Sequence, residues 1–329
     1  MSFDDGLILG LSMGGSDDYK NRDPDFALYK AMEEPAANQI KVLVRVTDKG
    51  AGQELRYIIP CDRMDTPVAN INVVDWGDGT PTELFDATTG LLHTYGAAGD
   101  YIITVTDNAG DYDYYKCNDN ASSKQAYLIA IKVGTDLTYA DGKTSNGTYY
   151  ISSGSNFKYM QFGSGDVLSG AFSINNCSRL TGIDVLDATV RPISLPNGMF
   201  NGCYALDFRN IMPLLSELTE IGDYAFYSCN GLKKLTLPKC RKIGSNSVSQ
   251  CESLTHVDLP ECVEIGSDSL YANDSLREVN LPKCQTIGNN CLTNSYILNK
   301  ITVPNNCTFG SNAMKYNYCL IPTPNGIYP

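Results

Sequence analysis

Apolar and polar positions alternate in short runs between about residues 36 and 135: Ile40-Lys41-Val42-Leu43-Val44-Arg45-Val46, Ile71-Asn72-Val73-Val74 and Tyr101-Ile102-Ile103-Thr104-Val105, separated by Gly, Asp, Pro and Asn turns. Period-two runs of this length predict strands with one buried face, and their spacing predicts a β-sandwich. From 218 to 310 the pattern changes. Ile-Gly recurs at Ile221-Gly222, Ile243-Gly244, Ile265-Gly266 and Ile287-Gly288, Phe309-Gly310 takes the next turn, and every step is 22 residues. Within each step Leu232, Leu235, Leu237, Pro238 and Cys240 return as Leu254, Val257, Leu259, Pro260 and Cys262, and again as Leu276, Val279, Leu281, Pro282 and Cys284. A weaker fourth copy has Leu298, Ile301, Val303 and Pro304, with Cys307 one place late. Each such unit exposes an apolar stripe that it cannot bury alone, so neighbours must stack into one continuous core.

Ahead of both regions, residues 1–35 hold eight acidic and three basic side chains and no sustained apolar period, the composition of a tether. Inside it, Asp23-Pro24 followed by Asp25-Phe26-Ala27-Leu28-Tyr29-Lys30-Ala31-Met32 has the cap-then-proline opening of a short helix, which Pro35 would close. Phe26, Leu28, Tyr29 and Met32 are its expected anchoring side chains. The chain thus divides into an acidic anchoring arm (1–35), a sandwich (36–135), a linker and solenoid N-cap (136–164), a repeat solenoid (165–310) and a C-terminal cap and tail (311–329). The expected fold class is mainly β, with two folded units and a tether.

The repeat has the L-x-x-L-x-L-x-x-N/C form and falls within the ~20–29-residue period of leucine-rich repeats. The run Ile221-Gly222-Asp223-Tyr224-Ala225-Phe226-Tyr227-Ser228-Cys229-Asn230-Gly231-Leu232 resembles the IG-x-x-A-F-x-x-C-x-x-L unit of BspA-type leucine-rich repeats. Gly170-Ala171-Phe172 with Cys177, and Met199-Phe200-Asn201-Gly202-Cys203 with Leu206, resemble two irregular earlier copies. In the sandwich, Val74-Asp75-Trp76-Gly77-Asp78-Gly79-Thr80 and His93-Thr94-Tyr95-Gly96-Ala97-Ala98-Gly99-Asp100-Tyr101 together resemble the signature of the PKD domain, an immunoglobulin-like module. There Trp76 would be a core anchor, and Asp78-Gly79 would supply the positive-φ position of a tight turn.

Hydrophobic residues make up 43% of the chain and charged residues 19%, enough apolar material for real cores. The formal charge of -12 opposes phosphate backbones, and no Lys/Arg cluster offsets it, so nucleic acid is not an expected partner. Leu7-Ile8-Leu9-Gly10-Leu11 follows Asp4 and Asp5 and is too short for an export core or a membrane span. With no export segment read, the twelve cysteines are expected as thiols. Cys240, Cys262 and Cys284 take the N/C position of the repeat and should form an internal column. Rungs ~4.8 Å apart do not suit a disulfide, whose β-carbons sit ~3.8 Å apart.

Chemistry is sparse. The two histidines, His93 and His256, leave few options for a His-based nucleophile. His93 belongs to the PKD-like run and His256 to an outward strand position. Asp75 and Asp78 can be read as a carboxylate pair or part of a calcium site, but the turn itself accounts for them. There is no G-x-G-x-x-G, G-x-x-x-x-G-K-[ST] or H-E-x-x-H sequence. No catalytic residue, metal ligand or cofactor is assigned, although a carboxylate-only glycosidase, with acids distant in sequence, needs no such motif.

Alternation places Leu235 and Leu237 inside and their neighbours outside, so the expected binding face is the ladder Lys234/Thr236, His256/Asp258, Glu278/Asn280 and Lys300/Thr302. Mixed and polar, it suits a protein or glycan surface. PKD-like and BspA-type modules resemble parts of bacterial surface adhesins, and Met1-Ser2-Phe3-Asp4-Asp5-Gly6-Leu7-Ile8 resembles the starts of some phage virion proteins. The resulting expectation is a virion surface protein, a head decoration or fibre or a tail adhesin, bound to capsid or tail proteins through 1–35 and to a host protein or glycan through the solenoid. The alternatives are a bacterial adhesin exported by another route and a carbohydrate-active enzyme with cryptic carboxylates. An oligomer is compatible with either placement, but no heptad stretch supports a trimeric fibre.

Overall fold

The structure is a computed structural model that describes residues 23–47, 55–59, 72–85, 91–106, 117–118, 126–134, 149–152, 157–164, 172–187, 189, 191–317, 321–323 and 326–328. Residues 1–33 form one unit and 34–329 another. In the first, helix α1 (Pro24–Ala31) opens where the sequence predicts. Asp23 caps it by accepting the Asp25 amide at 2.9 Å, and Pro24 occupies the first turn. The helix stops at Ala31, four residues before Pro35, and the Met32 amide closes it on the carbonyls of Leu28 and Tyr29. Lys30 lies over the rings of Phe26 and Tyr29, at 5.6 and 5.4 Å.

In the second unit the strands up to the repeats are β1 (Gln39–Val46), β2 (Leu55–Ile59), β3 (Asn72–Asp75), β4 (Glu83–Phe85), β5 (Leu91–Tyr95), β6 (Gly99–Thr106), β7 (Cys117–Asn118), β8 (Ala126–Val133), β9 (Tyr149–Ser152), β10 (Tyr159–Ser164), β11 (Phe172–Asn175) and β12 (Gly182–Asp187). β1, β6 and β3 coincide with the three alternating runs. They belong to a seven-stranded sheet ordered β12-β10-β8-β1-β6-β3-β4, while β2 and β5 form a separate antiparallel pair. β8 joins two regimes: it pairs antiparallel with β1 on one side and parallel with β10 on the other. β10 and β12 continue in parallel, and β7, β9 and β11 stack in parallel as a second, three-stranded sheet.

This alters the expected domain plan. A sandwich ending at 135 and a linker over 136–164 would leave β8 an edge, but the sheet runs through both boundaries. The buried apolar side chains from Ile40 to Met314 form one cluster. Two separate cores are therefore replaced by one, because parallel stacking already begins at β7 and β8. Glu34, counted in the arm from sequence, belongs to this unit: its carboxylate takes the Lys132 ammonium at 2.7 Å and the Gln161 amide at 2.6 Å, both on buried side chains.

The repeats then make two further parallel sheets. One contains β13 (Ser194–Leu195), β14 (Glu220–Ile221), β16 (Lys242–Ile243), β18 (Glu264–Ile265), β20 (Thr286–Ile287) and β22 (Thr308–Phe309). The other contains β15 (Lys234–Thr236), β17 (His256–Asp258), β19 (Glu278–Asn280) and β21 (Lys300–Thr302). A hairpin of β23 (Ile321–Thr323) and β24 (Gly326–Tyr328) follows. The leucine pattern predicts the second of these sheets. The first is carried by the Ile of each Ile-Gly pair, whose side chains are all buried from Ile221 to Ile287.

Local chemistry explains the punctuation. Leu237, Leu259 and Leu281 donate the last rung-to-rung bonds of their strands, and the next residue is proline, which has no N–H to continue them. The glycine after each isoleucine is fixed by crowding. A Cβ on Gly266 would lie 2.7 Å from the Gly244 carbonyl carbon, and one on Gly288 2.5 Å from that of Gly266. The coils before 229 are longer: Cys177, Cys203 and Cys229 are 26 residues apart, against 22 afterwards. In the coil before β15, a 3-10 helix (Met212–Glu217) occupies the strand's place and takes up the extra length.

Candidate binding surfaces of the solenoid

The predicted ladder exists and is in register. Lys234, His256, Glu278 and Lys300 align on β15, β17, β19 and β21, as do Thr236, Asp258, Asn280 and Thr302. Its members are not equally available. Lys234, Thr236, Lys300 and Thr302 are exposed, whereas the four central residues are half-buried. The ladder also binds itself: Asn280 donates to Asp258 at 2.7 Å, Glu278 and Lys300 approach to 3.7 Å, and His256 meets the Thr255 hydroxyl at 2.8 Å. The neighbouring columns behave alike, with Glu217 paired to Lys239, Glu261 to Lys283 at 2.6 Å, and Lys242 to Glu264 at 3.5 Å. Residues 22 apart in sequence are neighbours in space, so alternating charges down a column neutralise each other.

Apart from Cys291, the described cysteines of the repeats fall into two columns rather than one. Cys240, Cys262 and Cys284 are buried free thiols, as expected, and each donates to a carbonyl two residues ahead, at 3.3–3.4 Å. The position where cysteine and asparagine truly interchange is another. Cys203, Cys229 and Cys251 donate to Ile174, Phe200 and Phe226 carbonyls of the preceding coil at 3.1–3.2 Å. Asn273 does the same to Val248 at 3.0 Å, and Asn317 to Leu292 at 3.1 Å. The N/C assignment of Cys240, Cys262 and Cys284 is thus corrected: the residue that closes coil on coil lies in the turn segment. Sequence reading placed Cys177, Cys203 and Cys229 at this position of the unit but did not give it the N/C role, because Cys229 and Cys251 give way to Asn273, Ser295 and Asn317.

None of these thiols is poised for chemistry. Burial pushes Cys251 and Cys291 up to about 12 and Cys262 to about 11. Cys307 differs, because its hydrogen bond with Cys284 lowers it while raising Cys284. Among the described residues, no three of His, Cys, Asp and Glu converge to hold a metal ion, and no helix is long and apolar enough to cross a membrane.

The Trp76 turn is a closed polar cluster. Trp76 is fully buried and stacks on His93, with centroids 4.5 Å apart. His93 Nε2 lies 2.8 Å from Asp78 Oδ2, and Asp78 Oδ1 accepts the Thr80 hydroxyl at 2.6 Å and its amide at 3.1 Å. Asp75 accepts the Gly77 amide at 2.9 Å. Gly79 has the predicted positive φ of 81°, but the tighter demand is at Gly77, where a Cβ would lie 2.4 Å from the Ile102 carbonyl oxygen. Each carboxylate is engaged by its own turn. Of the expected anchoring side chains, Tyr29 and Met32 are buried and Phe26 and Leu28 half-buried.

Sequence reading also missed the turn edge, residues 222–231 and their repeats. Two positions per coil there have left-handed backbone: Gly198, Tyr224, Asn246, Asp268, Asn290 and Asn312 form one column, and Asn176, Gly202, Ser228, Gln250, Ala272, Asn294 and Tyr316 the other, all with φ between 51° and 72°. Tyr204, Tyr224, Tyr296 and Tyr316 are exposed on this edge.

Stacked parallel coils closed by Cys/Asn bonds, with apolar ladders inside, define a leucine-rich-repeat solenoid. Residues 193–321 match the model of the BspA type leucine rich repeat region, in six copies. Among solved structures, a leucine-rich repeat protein from Bacteroides ovatus is 20% identical with a TM-score of 0.42, over 61% of this chain and 55% of its own. A leucine rich cell surface protein from Faecalibacterium prausnitzii is 18% identical with a TM-score of 0.30, over 64% of this chain and 48% of its own. The chain thus spans about half the length of these two relatives. No curated protein matches it.

Proposed function

We propose that this chain is a non-enzymatic structural or adhesion protein of a virion surface, held to capsid or tail proteins through its N-terminal arm and displaying the solenoid to a host protein or glycan. The observation that carries the binding role is the solenoid itself: parallel coils whose apolar residues face inward leave strand faces and a turn edge as long polar surfaces. The arm's share rests on α1, a capped helix in a unit separate from residues 34–329. The virion placement rests on the resemblance of the first eight residues to virion proteins. The strands around Trp76 read as a PKD-like, immunoglobulin-type module fused edge-on to the solenoid through β8. Purification from the native source, following whether the protein travels with particles, envelope or cytosol, tests the placement. Deletion of residues 1–33 is expected to abolish particle incorporation while leaving the melting transition of 34–329 in place. Normal incorporation of the truncated chain would rule out the anchor.

A further inference from the structure

We propose that the turn edge of the solenoid, rather than its strand ladder, is the docking surface, and that its partner is a protein segment presenting arginine or lysine side chains. This deepens the binding role proposed above and rests on it.

The first observation is tyrosine at backbone positions that disfavour it. One left-handed column runs from Gly198, the residue that adopts positive φ freely, through Asn246, Asp268, Asn290 and Asn312, which tolerate it, and the other holds Asn176, Gly202 and Asn294 beside Ser228, Gln250 and Ala272. Tyr224 and Tyr316 stand in these same columns at φ 57° and 60°. A bulky side chain is unfavourable there, and neither ring recovers the loss by burial, since they are 45% and 59% exposed. Tyr204 and Tyr296, one place after the Cys/Asn column, are 49% and 48% exposed. Four rings thus stand outward on one edge. Tyrosine supplies large, rigid contact area at low entropy cost, and with the Ser and Asn around it forms the composition of a protein-binding surface.

The second observation is charge segregation. Segments 221–232, 243–254, 265–276 and 287–298 contain Asp223, Glu252, Asp268 and Asp274 and not one Lys or Arg, and the next segment, 309–320, which carries Tyr316, has Lys315 as its one charged residue. All eight Lys and Arg between 218 and 310 lie in the intervening strand segments. There the charges pair with one another across rungs, as Lys242 does with Glu264. Aromatic faces beside carboxylates suit a cation twice, through the ring quadrupole and through Coulomb attraction. One ring already shows the mode: the Lys315 ammonium lies 4.8 Å from the Tyr316 centroid.

The test uses the full-length chain and three immobilised probes: a Gly/Ser peptide with arginine at every third position, the same peptide with glutamate, and a neutral β-glucan. Binding is read at low and high salt. The arginine peptide is expected to bind and to weaken with salt, and Tyr224→Ser/Tyr296→Ser/Tyr316→Ser should reduce its affinity by about tenfold or more. Lys234→Ser/Thr302→Ala on the strand ladder should leave it unchanged, with an unaltered thermal melt showing that each variant folds. Equal binding by the tyrosine variant, or loss only in the ladder variant, would overturn the proposal. Binding of the glucan alone, abolished by the tyrosine changes, would assign the edge to carbohydrate and overturn the basic partner. Particle association is scored separately, so a chain that binds the arginine peptide but never travels with virions refutes the placement and leaves this surface standing.

Discussion

Glycine has two different jobs in this chain, and a single pair of substitutions separates them. Gly266 is needed because the next coil presses on its α-carbon, so Gly266→Ala places a methyl 2.7 Å from backbone atoms and is expected to lose about 1–3 kcal/mol or more. Ala272 sits at φ 53°, where an L side chain is disfavoured by roughly 1–2 kcal/mol, so Ala272→Gly should be neutral or gain up to about 1 kcal/mol after the added freedom of the unfolded chain is counted. Urea unfolding of both variants checks the opposite signs. At Asp78, burial opposes ionisation, but the Thr80 hydroxyl, His93 and the Thr80 amide together hold the carboxyl below its usual value. A carboxyl whose folded value lies below its unfolded value of about 3.9 stabilises the protein fully above that pH, and this is lost as pH falls through the folded value. Asp78→Asn is therefore expected to lower the melting temperature at pH 7 and to flatten its decline below about pH 4; parallel declines in both proteins would show that Asp78 carries none of it.

Each repeat element is a two-sided object whose inner side was readable from the leucines alone. Leu259 is fully buried between rungs, and Leu259→Ala is expected to cost about 2–5 kcal/mol, measured by denaturant titration. A melt moved by less than a degree or two would contradict that burial. The outer side was only half readable. Alternation correctly sent Lys234, His256, Glu278 and Lys300 outward, but the pairing of Glu278 with Lys300 and of Asp258 with Asn280 depends on the 22-residue period bringing them into register. The β14-type strands escaped notice because two residues are too few to show a period, and the turn edge because its column of Tyr224, Asn246, Asp268 and Asn290 shares a backbone angle rather than one side-chain type.

At the scale of the whole molecule, the resemblances to two families suggested two modules, but β8 is shared between the antiparallel strands and the parallel stack. This continuity gives Glu34 its importance. Lys132 is only 3% exposed, and removing the carboxylate that meets it leaves a charge with less compensation in a dry environment. Glu34→Ala is expected to destabilise residues 34–329 by about 1–3 kcal/mol, visible in the melt, whereas truncation ending at residue 33 should not. If both changes had the same effect, the arm would be part of what holds the core.

What the sequence determined by itself is the stacking: a 22-residue apolar period admits one solution, because no single unit can cover its own stripe. It also placed α1, through a cap and a proline that act within one turn, and the Trp76 turn, through the local demand at Gly79, whereas the demand at Gly77 comes from Ile102 on β6. Tertiary structure alone decided where parallel stacking begins, which columns neutralise themselves and which side chains remain open to a partner. Those outcomes depend on residues 22 or 26 apart becoming neighbours ~4.8 Å away, and on one strand having two edges to satisfy.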